Sequence, residues 1–350
     1  MSGATEDARR ASSRASMREV AERAGVAMSS VSRVLSGHPD VSSSMQQRVM
    51  AVVAELGYQP DLLAQSLRRR ETRSVGFVVG DIANPLLAEI VKGAERELRD
   101  NGYSMLLTNS ENRQERDAAH VRLFEQRRVD GLMLSLAAED NEDTIQLLKQ
   151  FDTPTVLVDR ELPPDVGASA VLSDHRTGMR DAVGHLLDLG HRRIGLILGQ
   201  SNIRPSRERR AGAEQAFSDR GLPLSYTAVE GLLGAEHGRS ATRELLGAPA
   251  PPTAIVTGGN QLLIGALEEM LERGLTIGQD ISLVSCDAID VTELFRPPIA
   301  VVRRDNREIG RQAAGLLLER LTEADPGPRT VILPTTFVPR PSCAPPPASS

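Results

Sequence analysis

Tryptophan is absent from the chain, and aromatic residues make up only 3% of its 350 residues, which leaves few rings to stack against a ligand. Cysteine is nearly as scarce. Cys286 and Cys343 lie far apart, give neither a disulfide framework nor a zinc-ligand spacing, and suit a reducing compartment. Lysine occurs only at Lys92 and Lys149, so the basic charge is almost wholly arginine. No stretch approaches the roughly 18 consecutive apolar residues of a membrane helix. The opening MSGATEDARRASSRAS lacks the apolar segment of a secretory signal and reads as a disordered tail. A cytoplasmic protein without membrane association is expected. Also missing are a phosphate loop, a nucleophile elbow and a Gly-x-Gly-x-x-Gly turn, so no catalytic residue, cofactor or metal is expected. His185 and His191 flank an apolar Leu-Leu pair and are expected to be structural.

What is present is ordinary for a folded protein: 40% hydrophobic and 25% charged residues, in a length suited to two or three domains. The net charge of −6 is unevenly spread. Residues 1–73 hold 11 arginines against eight acids, a balance of +3, and the remainder carries −9. A basic end on an acidic body fits one end approaching phosphate while the other stays in solution.

The first ordered stretch is short and closely punctuated. Ser16-x-x-Glu19 is a capping box opening a helix through Ala24, and Gly25 can take the left-handed conformation of a tight turn. A second helix is expected from Met28 to Leu35, ended by Gly37 and Pro39. A third starts near Ser42 or Ser43, turns Val49, Val52, Val53 and Leu56 inward, and stops at Gly57 and Pro60. Three helices in forty residues with a glycine turn between the first two is a helix-turn-helix plan.

From Val75 the rhythm becomes strand and helix in alternation. Apolar runs at Val75–Val79, Tyr103–Leu107, Gly131–Leu136, Thr155–Val158, Ile194–Leu198, Ala254–Thr257 and Ile281–Ser285 read as strands. Helical patterns at Leu86–Asn101, Arg116–Arg128, Gly178–Leu189 and Leu262–Gly274 lie between most of them. Short buried strands joined through helices indicate α/β architecture with parallel sheets, and residues 75–340 suffice for two. PSCAPPPASS, from Pro341, is expected to be unstructured.

Residues 17–70 resemble the DNA-binding head of the LacI/GalR family: VAERAGV, SSVSRVL, the VS before the third helix, LGYQP and A-x-SL occur in the family's order. IANPLLAEI, VDGLMLS, PTVLVDRE, HLLDLGHRRIGLILG and ISLVSCDA extend the resemblance to about residues 17–342. It implies an α/β chain with an N-terminal three-helix helix-turn-helix head plus hinge helix, followed by a two-lobed periplasmic-binding-protein-like core with parallel sheets. The expected boundaries are a tail at 1–15, the head at 16–59, the hinge at 60–73, the core at 74–340 and a tail at 341–350. The implied function is repression from a pseudo-palindromic operator, bound as a homodimer under control of a small effector, a sugar or sugar derivative.

A recognition helix enters the major groove by its N-terminal side chains. Here those are Met28 and Ser29, with Arg33 one turn on; Arg33 can donate twice to one guanine, and otherwise reads as a phosphate contact or a solvated arginine. By the resemblance Ser30 and Ser32 face phosphates, Leu67 is the hinge residue that wedges into the minor groove, and Arg68 neutralises a flanking phosphate. Ala27 stands where the family has a capping Ser or Thr, so this helix is expected to fray or to be capped late by Ser29.

Ligands of open α/β sheets bind beyond the carboxyl ends of strands. Asp81 and Asn84, Asp159 and Arg160, and Asp287 occupy such ends; Arg209 matches the family's ligand-contacting arginine. These six are the candidate effector-binding residues, each with a helix cap or an ion pair between lobes as the alternative. Gly259-Asn260 replaces the family's Asn-Asp, and Leu233 stands where an aromatic often stacks. The arginines at 204, 207, 209 and 210 raise an anionic effector as a second possibility. The competing whole-chain reading is a two-lobed sugar-binding protein without regulatory DNA function.

Overall fold

The computed structural model describes residues 15–35, 38–58, 71–322 and 326–347. They form two compact units, one ending at Thr72 and one beginning at Arg73.

Among the described residues, seven buried side chains hold the first unit together. Its helix α1 (Met17–Ala24) opens on Ser16, whose Oγ accepts from the Glu19 amide at 3.2 Å, and ends at Gly25 with φ of 61°. Helix α2 (Met28–Leu35) starts without a hydroxyl cap: the Ala27 carbonyl accepts from the Val31 amide at 3.1 Å, so the first turn closes at Met28 and not late at Ser29. Helix α3 (Ser43–Leu56) is capped by Ser42 and stopped by Gly57 at φ 60°. Val20, Ala21 and Ala24 from α1 meet Val31 and Val34 from α2, Val49 from α3, and Tyr58. Val52, Val53 and Leu56 pack half-buried around them. Gly37 and the expected hinge, including Leu67 and Arg68, lie outside the described residues.

The second unit contains two six-stranded sheets. The chain builds β1 (Ser74–Val79), α4 (Pro85–Asp100), β2 (Ser104–Asn109), α5 (Gln114–Gln126), β3 (Gly131–Leu134), α6 (Glu142–Gln150), β4 (Thr155–Val158) and β5 (Ser169–Ser173). It continues with α7 (His175–Asp188), β6 (Ile194–Gly199), α8 (Arg204–Ser218), β7 (Tyr226–Gly231), α9 (Ala235–Gly247), β8 (Ala254–Thr257) and α10 (Asn260–Glu272). Then follow β9 (Ser282–Ser285), α11 (Asp290–Leu294), β10 (Ala300–Arg303), α12 (Asn306–Arg320), β11 (Thr330–Leu333) and β12 (Thr336–Val338). The first sheet runs β11-β5-β4-β3-β1-β2, all parallel; the second runs β12-β10-β9-β8-β6-β7, parallel except for the antiparallel β12. Central strands such as β3, β4, β8 and β9 are buried along their whole length, because helices cover both faces.

The chain crosses between the lobes three times: from β5 into α7, from β10 into α12, and from β11 to β12. Helix α7 packs on α8 in the second lobe, and α12 returns to pack on α4 in the first. These pairs, and α9 with α10, close on glycines. A Cβ added at Gly310 would lie 1.9 Å from the Ile90 carbonyl oxygen, at Gly212 2.3 Å from that of Arg176, and at Gly265 1.8 Å from that of Ala235.

The expected tail from Pro341 is corrected for residues 341–347, which pack on the second lobe. Ser342 is fully buried; its Oγ donates to the Leu283 carbonyl at 2.7 Å and accepts from the Ala300 amide at 2.8 Å. His191, also buried, meets the Ala344 carbonyl at 2.8 Å, Ser282 Oγ at 3.0 Å and Thr253 Oγ1 at 2.8 Å. Composition argued for disorder; the backbone groups of β9 and its neighbours offered specific partners. Among the described residues no helix is long and apolar enough to cross a membrane, and no His, Cys, Asp and Glu cluster is shaped to hold a metal.

Candidate functional site

Two regions carry chemistry. On α2 the buried Val31 and Val34 fix the inner face, so the opposite face is set by helical spacing. Met28 is 48% exposed, Ser29 and Arg33 are exposed, and Ser30 and Ser32 are half-buried at the edges. The helix therefore presents Met28, Ser29 and Arg33 along one outward stripe, with hydroxyls beside it. An ion pair between Arg23 and Glu55, at 2.8 Å, ties α1 to α3 behind it.

The second region is the cleft between the lobes, a cavity of about 80 Å³ at the carboxyl ends of the strands. All six residues picked from the sequence, Asp81, Asn84, Asp159, Arg160, Arg209 and Asp287, line it. Their partners differ from a set of free ligand groups. Asn84 caps α4 through the Leu86 amide at 3.0 Å and accepts from Asn260 Nδ2 at 3.0 Å. Asp81 accepts from Gln261 Nε2 at 2.6 Å. Arg160 donates to the carbonyls of Leu136 at 2.5 Å and of its neighbour Asp159 at 2.9 Å. Arg209, 5% exposed, donates from Nη1 to the Gly258 carbonyl at 2.7 Å, while its Nε has no hydrogen-bond partner.

Asp159 and Asp287 converge on one guanidinium that sequence reasoning missed. Arg304 Nε donates to Asp287 Oδ1 at 3.1 Å and its Nη1 pairs with Asp159. Asp159 also accepts from the Ser173 amide at 2.6 Å and from Ser173 Oγ at 3.1 Å. Burial alone would raise the Asp159 carboxyl; the His175 ring, charged only in the strong acid where Asp159 itself titrates, the Arg304 guanidinium and the Ser173 amide outweigh it and hold the group well below the usual carboxylate range. His175, whose Nε2 lies 3.4 Å from Asp159, is pushed down to about 3 by burial and then by the Arg209 charge. Its ring is neutral at pH 7, and Arg304 carries the pairing.

His175 and Arg304 were missed because both follow short strands, β5 and β10, that sequence reasoning did not mark. The strand-end rule that found Asp159 would have found them. Three of the four clustered arginines that suggested an anion site are paired with acids. Arg204 pairs with Glu161 at 3.0 Å, Arg207 with Glu139 at 2.7 Å, and Arg210 with Glu230. Leu233 lines the cleft where the family often places an aromatic, and among the described residues no Phe, Tyr or Trp lines it.

Residues 16–61 match the profile of bacterial regulatory proteins, lacI family, and residues 183–343 that of a periplasmic binding protein-like domain. The chain is 32% identical over 316 residues to the HTH-type transcriptional repressor PurR of Haemophilus influenzae (strain PittEE), an alignment covering 89% of this chain and 93% of that one. It is 33% identical over 313 residues to the ribose operon repressor of Escherichia coli (strain K12), covering 88% and 94%. Its fold matches a lac repressor dimer bound to operator and the anti-inducer ONPF, with a TM-score of 0.83 at 26% identity over 95% of this chain and 100% of that one.

Proposed function

The chain belongs to the lacI family of bacterial regulatory proteins, and from that premise we propose that it is a cytoplasmic repressor reading a pseudo-palindromic operator as a dimer, with a small neutral polyhydroxylated effector held between its core lobes. The observation that carries the DNA-binding half is the outward stripe of Met28, Ser29 and Arg33 on a helix whose inner face is fixed by Val31 and Val34. One head reads one half-site, and a two-fold dimer reads two. The family's activity is regulation, and the cleft's acids are engaged by arginine, serine and amide partners rather than poised for acid–base chemistry; we read it as a binding site without catalysis.

Selection of random duplexes by the purified chain tests this directly. A palindromic site should be enriched. Arg33→Ala should weaken binding to it by about 1–3 kcal/mol and relax the preference for one G·C pair in each half-site. Equilibrium titration at fixed salt measures both. Uniform weakening across all sequences would instead make Arg33 a phosphate contact.

The effector half rests on the cleft's charge balance. Asp81, Asp159 and Asp287 face Arg160, Arg209 and Arg304, and His175 adds no charge at pH 7, so the lining is neutral overall. Carboxylates and amides accept and donate to hydroxyls; the spare Nε of Arg209 seeks an oxygen. Calorimetric titration with ribose, other pentoses and a phosphorylated pentose is the measurement. A neutral sugar should bind and its phosphate should not, and Arg209→Ala should weaken the neutral sugar by about tenfold or more, as loss of a charged hydrogen bond does. Preference for the phosphorylated sugar would overturn the reading.

A further inference from the structure

The two lobes are bridged by the chain's own side chains at three places. On one rim Gln261 donates to Asp81 at 2.6 Å and Asn260 to Asn84 at 3.0 Å. On the other rim Glu139, from the loop after β3, accepts from the Arg204 amide at 2.8 Å and from Arg207 at 2.7 Å, and Asn202 donates to Asp140 at 3.3 Å. Between the rims sits Arg304, on the second crossover. It joins Asp159, at the end of a first-lobe strand, to Asp287, at the end of a second-lobe strand, and comes within 3.4 Å of Ser173 Oγ.

These bridges are unequal. Arg207 and Gln261 stand at the edge of the cleft, where water competes for each bond. Arg204, 8% exposed, also reaches across, to the Ser173 carbonyl at 2.9 Å and to Glu161 at 3.0 Å, but the one acid it meets is half exposed. Arg304 is 13% exposed and its two acids 7% and 4%, so the central bridge works at low dielectric and with charge-assisted bonds. Removing the guanidinium would leave two buried carboxylates facing each other, and their repulsion is relieved most simply by parting the lobes.

We propose that Arg304 is an internal latch: its guanidinium makes the connection between strand ends of opposite lobes that a bound ligand would otherwise make, so the core closes on its own arginine and an effector acts on a core that is already closed. The latch therefore sets the lobe equilibrium on which any effector must act. This goes beyond the effector reading above and stands whether or not the effector is a sugar.

The test is hydrogen exchange on the full-length, extensively dialysed protein with no small molecule added. In the unsubstituted chain the amides on the cleft rims, at 80–87 and 258–263, should exchange slowly. In Arg304→Gln they should exchange at least about tenfold faster, while the inner strands at 75–79 and 194–198 keep their protection and report an intact fold. Arg207→Gln should change rim exchange by less than about threefold, as expected for a bridge whose cation, 43% exposed, stands at the solvent edge. Arg304→Lys keeps the charge but loses the two-pronged geometry and should fall between. Unaltered rim exchange in a folded Arg304→Gln protein sinks the proposal. So does rim exchange as fast as exposed loops in the unsubstituted chain, which decides the matter even if both Arg304 variants fail to fold.

Discussion

The Gly265→Ala variant is expected to lose several kcal/mol of core stability and, at 37 °C, to accumulate largely unfolded. Two effects compete at this position. In an isolated helix, alanine is better than glycine by about 0.8–1.0 kcal/mol, which would stabilise α10. Against that, the new Cβ would stand 1.8 Å from the Ala235 carbonyl oxygen and 2.6 Å from the Arg239 amide nitrogen, both backbone atoms of α9. No rotamer change relieves a clash with backbone, so the helices must separate by more than an ångström along a contact that buries Ala241, Leu245, Leu262 and Ala266. Overpacking of this kind costs about 1–3 kcal/mol and more where main chain must move, so the clash wins. Gly315, on α12, has open space where its Cβ would go, and Gly315→Ala should gain up to about 1 kcal/mol instead. Chemical denaturation of both variants distinguishes the two signs. Equal, small effects would mean that the helix pairs are not in close main-chain contact.

Acid should weaken the core well before its carboxylates titrate. His175 is neutral in the fold, with its pKa depressed to about 3, whereas in the unfolded chain it titrates near the ordinary value of about 6.5. Below that ordinary value the unfolded chain takes up a proton that the folded chain refuses, so stability falls as pH falls through the window between the two values. Between pH 7 and pH 5 the loss from His175 alone should be about 2 kcal/mol. Asp159 acts differently. Its pKa is lowered, so the stability it contributes is present above its unfolded value of about 3.9 and is lost only in stronger acid. Burial lowers His120, His185 and His191 too, which adds to the slope in the same direction. His175→Gln should therefore flatten the pH dependence without abolishing it. Urea unfolding at several pH values measures this; an unchanged slope in the variant would exclude His175 as its main source.

Much of the architecture was legible because it is written in local signals. Ser16 with Glu19, Gly25, Ser42 and Gly57 mark their helix ends through their own backbone needs, and each does so in the structure. Fully buried strands such as β4 and β8 read as continuous apolar runs. Most strands that escaped notice are at edges or are less apolar, and β10, though inside its sheet, offers only three apolar residues before Arg303. β7 is half-exposed along its length, β11 alternates exposed and half-buried residues, and β5 carries serine at both ends. The arginines of α8 are spent on specific acids, Arg204 and Arg207 on Glu161 and Glu139 across the lobe boundary and Arg210 on Glu230 within its own lobe, a fact of tertiary pairing that composition cannot carry. Five of the six cleft residues followed from one topological rule and Arg209 from the family resemblance, whereas Arg304 and His175 required knowing where β10 and β5 end. Sequence could place acids in the cleft but not say that a buried arginine already holds two of them.

The three crossings between lobes bear on how the protein is made. The first lobe lacks its edge strand β11 until residue 333 has been synthesised, and β12, with the Ser342 segment, completes the second lobe later still. Neither lobe is a continuous stretch of chain, so neither can finish folding while the ribosome is still translating its partner. The head has no such dependence: its core is complete at Tyr58, and N-terminal units fold first as they emerge. Premature termination anywhere in the core would thus release a DNA-reading head with no working sensor attached.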